Sequence, residues 1–113
     1  MKLWAKLMTE TEFNNLVDET LTQIEECLDD AETDLDYLIS GGVLTIKCEN
    51  GSQIIFTRQT PVKQLWLATR GGGFHFDYVE GEGWLRDSDQ APLKKIFGDA
   101  FTEQAGETLD FVF

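Results

Sequence analysis

The chain has 113 residues, a hydrophobic fraction of 42% and a formal net charge of −12. This length suits one domain with a single core, and eight Phe and three Trp can fill that core, which argues against disorder. The charge excludes nucleic acid and anionic membranes as partners, because their phosphates would be repelled. It favours metal cations or a basic protein surface.

The cysteine pattern and the N-terminus predict a reducing, cytoplasmic location. Cys27 and Cys48 have no CxxC spacing, and each falls on the apolar face of its element, so we interpret both as core residues. The apolar part of residues 1–7 is too short for a secretory signal, and no apolar run is long enough to span a bilayer. Free thiols of this kind are typical of reducing compartments.

The first predicted element is an amphipathic helix over residues 13–28. Apolar residues recur there every three or four positions and form one stripe. Thr9 or Thr11 is expected to cap its start, and Thr9 with Glu12 has the spacing of a capping box.

From residue 34 onward the apolar period changes to two, which is typical of strands. A first strand is expected to start with Glu32, Asp34 and Asp36, and the pattern then predicts strands at residues 44–48, 53–59, 64–69, 74–79 and 84–86. Asn50-Gly51 is a strong hairpin signal, and Thr60-Pro61 interrupts the strand pattern.

A second helix is predicted after the strands. Ser88 or Asp89 is expected to cap it, Pro92 lies in its first turn, and Gly106 is expected to end it. The order helix, meandering strands, helix indicates an α+β fold: a two-layer sandwich with both helices on one face of an antiparallel sheet. The other face of that sheet is expected to stay uncovered.

Acidic residues are concentrated near the N-terminus. Between Lys6 and Lys47 there is no Lys or Arg, and this interval holds eleven of the 21 acidic residues. On the helical wheel they form two neighbouring ridges opposite the apolar stripe. These ridges, and their continuation toward the first strand, consist of Asp18, Glu25 and Asp29; Glu19, Glu26 and Asp30; and Glu32, Asp34 and Asp36.

This arrangement costs stability, because like charges at i,i+4 repel and anions near a helix C-terminus oppose the helix dipole. We therefore interpret the ridges as a cation-binding or basic-partner surface; a plain solvated face is the alternative. Carboxylate ligands suit hard cations such as Fe²⁺, Fe³⁺, Mn²⁺, Ca²⁺ and Mg²⁺. Since the ridges do not converge on one point, we expect weak, multiple and poorly selective sites.

A second candidate surface is the uncovered sheet face. If Leu65 and Leu67 point inward, strand alternation turns Trp66 outward. A Trp on an open polar sheet is typical of protein interfaces; burial by a loop, or a ring lying flat on the sheet, is the alternative. By the same alternation the outward set includes Gln64, Ala68, His75, Asp77, Thr45, Lys47, Glu49, Thr57 and Gln59.

No catalytic motif is present: there is no GxSxG, P-loop, GxGxxG, HExxH or EF-hand loop. Four segments nevertheless resemble the frataxin family, in particular its bacterial CyaY branch. They are GGVLTI from residue 41, NGS from residue 50, RQTPVKQLWLAT from residue 58 and GFHFDY from residue 73. The third is the most specific.

The resemblance implies the same sandwich fold and iron binding, as Fe²⁺ or Fe³⁺, by carboxylates of the first helix and the adjacent strand edge. The implied ligands are Glu26, Asp29, Asp30, Glu32, Asp34 and Asp36, with Asp18, Glu19 and Glu25 as outer candidates. This chain departs from the family pattern at Leu38 and Ser40, where further acidic residues are common.

The resemblance also implies a role in iron–sulfur cluster assembly. The acidic ridges would dock on the basic surface of a cysteine desulfurase, close to the scaffold protein on which clusters form. The residues expected to contact partners are Glu26, Asp29, Asp30, Asn50, Gln59, Gln64, Trp66 and His75. The protein is expected to be a monomer that metal can drive into oligomers.

Two other functions compete with this adaptor role. One is a ferroxidase that oxidises Fe²⁺ and stores it in oligomers, although an exposed ridge lacks the enclosed two-metal geometry of efficient oxidases. The other is a purely structural acidic protein that blocks a basic partner.

Family members begin near Met8, so residues 1–7 are expected to be a leader or extension before a single domain at residues 8–113.

Overall fold

The computed structural model describes residues 8–113. One six-stranded antiparallel sheet carries two helices, and each strand pairs with its neighbour in sequence, in the order β1-β2-β3-β4-β5-β6. The predicted α+β sandwich is therefore confirmed. In chain order the elements are α1 (Glu10–Leu28), β1 (Asp36–Ser40), β2 (Val43–Lys47), β3 (Gln53–Gln59), a 3₁₀ turn (Thr60–Val62), β4 (Gln64–Thr69), β5 (Gly72–Val79), β6 (Gly83–Arg86) and α2 (Leu93–Ala105).

The start of α1 is fixed by the capping box that the sequence predicts. The Glu12 amide donates to Thr9 Oγ1 at 3.1 Å, and the Thr9 amide donates to Glu12 Oε1 at 2.8 Å. The helix begins at Glu10, earlier than the apolar stripe suggests. Reciprocal capping satisfies two amides that would otherwise lack a partner at the N-terminus.

The core lies between the two helices and one face of the sheet. Both helices direct their apolar stripes at alternate residues of the strands, as the period of two requires. Trp84 is buried, and its indole N–H donates to Thr20 Oγ1 at 2.9 Å. Cys48 is buried, and Cys27 packs against the core half-buried. The most deeply buried members are Phe13, Val17, Ile24, Leu44, Ile46, Ile54, Phe56, Leu65, Leu67, Phe76, Leu93, Phe97, Phe101 and Phe111.

The cap predicted for α2 is wrong. The residue before α2 is Pro92, and no side chain caps the helix. Asp89 instead accepts hydrogen bonds from the Arg86 guanidinium at 2.9 and 2.6 Å and from the Ala91 amide at 3.1 Å. The turn between β6 and α2 places Asp89 next to Arg86, so the Asp89 carboxylate binds the guanidinium and does not cap α2. Gly106 ends α2 with a φ of 74°, as predicted.

None of the helices among residues 8–113 is long and apolar enough to cross a membrane. The expectation of a leader at residues 1–7 lies outside the described residues.

Candidate metal-binding and partner-binding surfaces

The outer face of α1 carries the two predicted ridges. Five of their six carboxylates are exposed, and Glu25 is half-buried. The apolar stripe of α1 faces the core, so this face is left to solvent. No basic residue lies in the last turn of α1 to offset the carboxylates near its C-terminus. The exposed members are Asp18, Glu19, Glu26, Asp29 and Asp30.

One end of the ridges is partly neutralised by a base from the sheet. Arg58 on β3 reaches α1, where its guanidinium donates to Asp18 at 2.5 Å and to the Asn14 side chain at 3.2 Å. The sequence interval without Lys or Arg does not reveal this pair, because Arg58 lies 40 positions from Asp18. The free negative charge is therefore greater toward the C-terminal half of α1.

The C-terminal end of α1 is tied to β1. The Tyr37 hydroxyl donates a short hydrogen bond to Asp29 Oδ1. That hydrogen bond, with smaller contributions from desolvation and from the charges of Asp29 and Glu25, raises the pKa of Tyr37 to about 12. Asp29 is thus positioned by a donor that the sequence analysis did not single out.

The segment between α1 and β1 is held by the C-terminal tail. Glu107 accepts hydrogen bonds from the amides of Glu32 and Thr33 and from the Thr33 hydroxyl, at 2.6 to 3.0 Å. These bonds, of which the Thr33 hydroxyl makes the largest contribution, lower the pKa of Glu107 below its ordinary value. The Glu32 side chain itself stays exposed.

The structure separates Asp36 from the ridges on α1. Asp36 lies opposite Lys47 in the β1–β2 pairing, and the next residue, Tyr37, packs against the core. Alternation therefore turns Asp36 toward the open sheet face. Asp34 is exposed in the segment before β1.

Among residues 8–113, no three Asp, Glu, His or Cys side chains are grouped so that they could hold a metal ion together. The carboxylates of α1 form a surface and not a cage. Such a surface can attract cations or a basic protein through the summed field of its charges.

The open sheet face carries Trp66 of β4, whose side chain is half-buried. Its ring stacks on His75 of β5 with a centroid separation of 4.2 Å, and its indole N–H donates to Gln64 Oε1 at 3.1 Å. The Gln64 amide in turn donates to Asp77 and to Asp87, both at 3.3 Å. Cross-strand contacts therefore fix the orientation of this aromatic ring.

Two other predicted contact residues lie in different places. Gln59 is paired with Gln64 across β3 and β4, so it adjoins the Trp66 cluster. Asn50 does not: its amide donates to the Gln104 carbonyl at 3.0 Å, and its oxygen accepts from the Ser52 amide at 3.0 Å. Asn50 therefore holds the β2–β3 turn against the end of α2.

Two helices on one face of a meandering sheet, with an acidic helix surface and an open sheet face bearing Trp66, define an α+β sandwich with two solvent-exposed surfaces of different chemistry. The frataxin-like domain model matches residues 6–107. The chain belongs to the frataxin family.

Close relatives agree with this assignment. The chain is 49% identical over 105 residues to the iron–sulfur cluster assembly protein CyaY of Pseudomonas aeruginosa, covering 92% of this chain and 97% of that one. It is 50% identical over 105 residues to the CyaY of Pseudomonas syringae, covering 92% and 96%. The solved structure of the frataxin from Psychromonas ingrahamii superposes with a TM-score of 0.85 at 36% identity, covering 94% of this chain and all of that one.

Proposed function

We propose that this protein acts in iron–sulfur cluster assembly as an iron-responsive adaptor that docks on a cysteine desulfurase beside the scaffold protein. The relatives named as iron–sulfur cluster assembly proteins support a role of this chain in that assembly. The observation that carries the proposal is the exposed acidic surface of α1, on which Asp18 is the only ridge carboxylate with an ion pair among the described residues. Unpaired exposed carboxylates are available both to iron and to a basic protein.

The same carboxylates serve both ligands in this proposal. Fe²⁺ or Fe³⁺ binds weakly along Glu26, Asp29 and Asp30, with Glu19 and Glu25 nearby, because oxygen ligands suit hard cations but no enclosed site gathers them. Iron and the desulfurase then compete, so bound iron changes how firmly the adaptor docks. The open face around Trp66 supplies the second contact, with the scaffold.

Binding fits this surface better than oxidation does. Efficient metal catalysis holds its ions in a fixed, enclosed geometry, whereas the ridge carboxylates are spread over an open helix face. We therefore rank the ferroxidase second. Oxygen consumption with Fe²⁺ that matches a dedicated oxidase would reverse this order.

The deciding experiment reverses three charges on α1. The triple variant Glu26→Lys, Asp29→Lys, Asp30→Lys is expected to lose both iron binding and desulfurase binding, measured by isothermal titration calorimetry. The loss of desulfurase affinity should be about tenfold or more, since close charge pairs across an interface can couple by about 1.5 kcal/mol or more. A matched triple variant at the exposed residues Glu80, Asp99 and Glu103 changes the net charge equally and should retain both.

Intact desulfurase binding in the α1 variant would refute docking on this surface. Equal losses in both triple variants would mean that net charge alone attracts the partner.

A further inference from the structure

The two edges of the sheet differ in their cover. The outer edge of β6 is occupied, because Leu85 forms a bridge with Pro92 and the Arg86 amide donates to the Ala91 carbonyl at 2.7 Å. The outer edge of β1 pairs with no other strand among residues 8–113. An unpaired edge presents backbone donors and acceptors to which another chain can add a strand.

The backbone groups at this edge can be assigned from the ladder. The Cys48 amide donates to the Ser52 carbonyl at 2.9 Å, toward β3. Because antiparallel pairing alternates, every second residue of β2 counted back from Cys48 also turns toward β3. The β1 partners of those residues are Tyr37 and Ile39. Their N–H and C=O groups therefore point outward, away from β2.

Little protects this edge against pairing. Natural edges are often protected by charged residues, especially Lys, by Pro or by a bulge; β1 has no Lys, Pro or bulge, and its one charged residue is Asp36 at its start. Leu38 is instead 64% exposed, and Ile39 is 37% exposed. An apolar, regular edge of this kind suits strand addition.

The two sides of the edge have different chemistry. On the helix side, Tyr37 contacts Asp29, and the charge of Glu25 also acts on Tyr37. On the open side, a depression of about 330 Å³ lies along Leu38 and Thr45. Side chains of an added strand alternate between these two sides.

We propose that the β1 edge binds an extended segment of a basic partner as a seventh strand, whose side chains alternate between basic and aliphatic. Lys or Arg stems would cover Ile39 and place their charges at Asp29 and Glu25, while aliphatic residues would contact Leu38. A second copy of this chain fits poorly, because each carries a net charge of −12 and the same carboxylates beside the edge. The basic nature of the partner rests on the proposed function; the strand-like binding does not.

Synthetic peptides test this binding directly. A fluorescent ten-residue peptide alternating Lys and Val is compared with two analogues, one N-methylated at the Lys residues and the other at the Val residues. Only one of the two analogues has its methyl groups facing β1. That analogue is expected to bind about tenfold more weakly, from lost backbone hydrogen bonds, and the other should bind like the parent. The parent should also slow hydrogen exchange at the Tyr37 and Ile39 amides.

A matched pair of protein variants tests the same edge. Leu38→Lys places a positive charge beside the incoming basic strand and should weaken the parent peptide several-fold. Val112→Lys makes the same charge change at a residue that is also 64% exposed, in the C-terminal tail. The Val112 variant should bind like the unaltered protein.

Each opposite result overturns the inference in a recognisable way. Equal binding of both N-methylated analogues would show that only charge attracts the peptide, and the proposed docking on α1 would stand. Concentration-dependent dimers that dissociate in the Leu38 variant would show that a second copy of the chain binds the β1 edge. Tighter peptide binding after deletion of residues 1–7 would show that this chain's own N-terminal segment binds there. The proposed function fails separately, if desulfurase binding survives the triple reversal on α1.

Discussion

The outer face of α1 and the open face of the sheet are both uncovered, yet they are built in opposite ways. On α1, exposed carboxylates stand side by side, and Asp18 and Asp29 are held by partners from the sheet. On the sheet, Trp66 is stacked on His75 and hydrogen-bonded to Gln64. In the proposed function, the first surface attracts its partner through charge over a distance, whereas the second offers an aromatic ring whose orientation is already fixed.

This difference predicts how each surface responds to salt and mutation. Attraction between exposed charges is screened at physiological ionic strength over about 8 Å, so contacts through α1 should weaken as salt rises. Contacts through Trp66 depend on buried aromatic area and should change little.

The largest effect compares two tryptophans. Trp84→Ala should lower the free energy of unfolding by about 3–5 kcal/mol, because Trp84 fills the core and bonds to Thr20. Trp66→Ala should lower it by only about 1 kcal/mol. Urea denaturation of both variants measures this. A similar cost for the two would show that Trp66 serves the fold, and the proposed contact surface would lose its main support.

Arg58 tests how a partner from the sheet limits the free charge of α1. Arg58→Met should destabilise the protein by roughly 1–3 kcal/mol, since Asn14 and Asp18 lose their donor and a partly buried network is broken. It should also tighten Ca²⁺ binding, because Asp18 regains its free charge. Asp18→Asn is the control: it removes the same ion pair and should not tighten Ca²⁺ binding. Calorimetric titration with Ca²⁺ distinguishes the two variants.

Metal should stabilise the fold through α1 alone. Millimolar Ca²⁺ or Fe²⁺ is expected to raise the stability by about 1 kcal/mol by mass action, or the Tm by roughly 4–8 °C. The Glu26, Asp29, Asp30 reversal should abolish the increase, and Trp66→Ala should keep it. An unchanged Tm in the unaltered protein would mean that the acidic surface is not a metal site of consequence.

The smallest effect concerns pH and the segment between α1 and β1. Hydrogen bonding lowers the pKa of Glu107, so its stabilising contribution is fully present above the ordinary Glu pKa and is lost as pH falls through the depressed value. Glu107→Gln should therefore lower the Tm at neutral pH, and the difference from the unaltered protein should shrink in acid. The Glu107 variant should also weaken the hydrogen bonds of the Glu32 and Thr33 amides, so these amides should exchange hydrogen faster. A Tm difference that is constant down to pH 2 would contradict this role.

Much of the fold is determined locally and could be predicted from the sequence. The stripe of α1, its capping box and the alternation of β2 to β6 each depend on neighbouring residues. The α2 cap could not be predicted, because Asp89 has two competing partners and only the turn after β6 brings Arg86 close enough to take it. Both ridges on α1 and the outward position of Trp66 follow from helix and strand periodicity alone.

The remaining features depend on residues far apart in the chain. Arg58 neutralises Asp18, Tyr37 positions Asp29, and Glu107 anchors the segment at Glu32 only because the sheet and the tail bring them together. Which edge of the sheet stays open is likewise a property of the whole fold. The position of the charge and of the apolar faces could be read from the residue pattern, since periodicity is local. The pairing of individual carboxylates and the free backbone groups of β1 depend on long-range packing, so they are visible only in the folded chain.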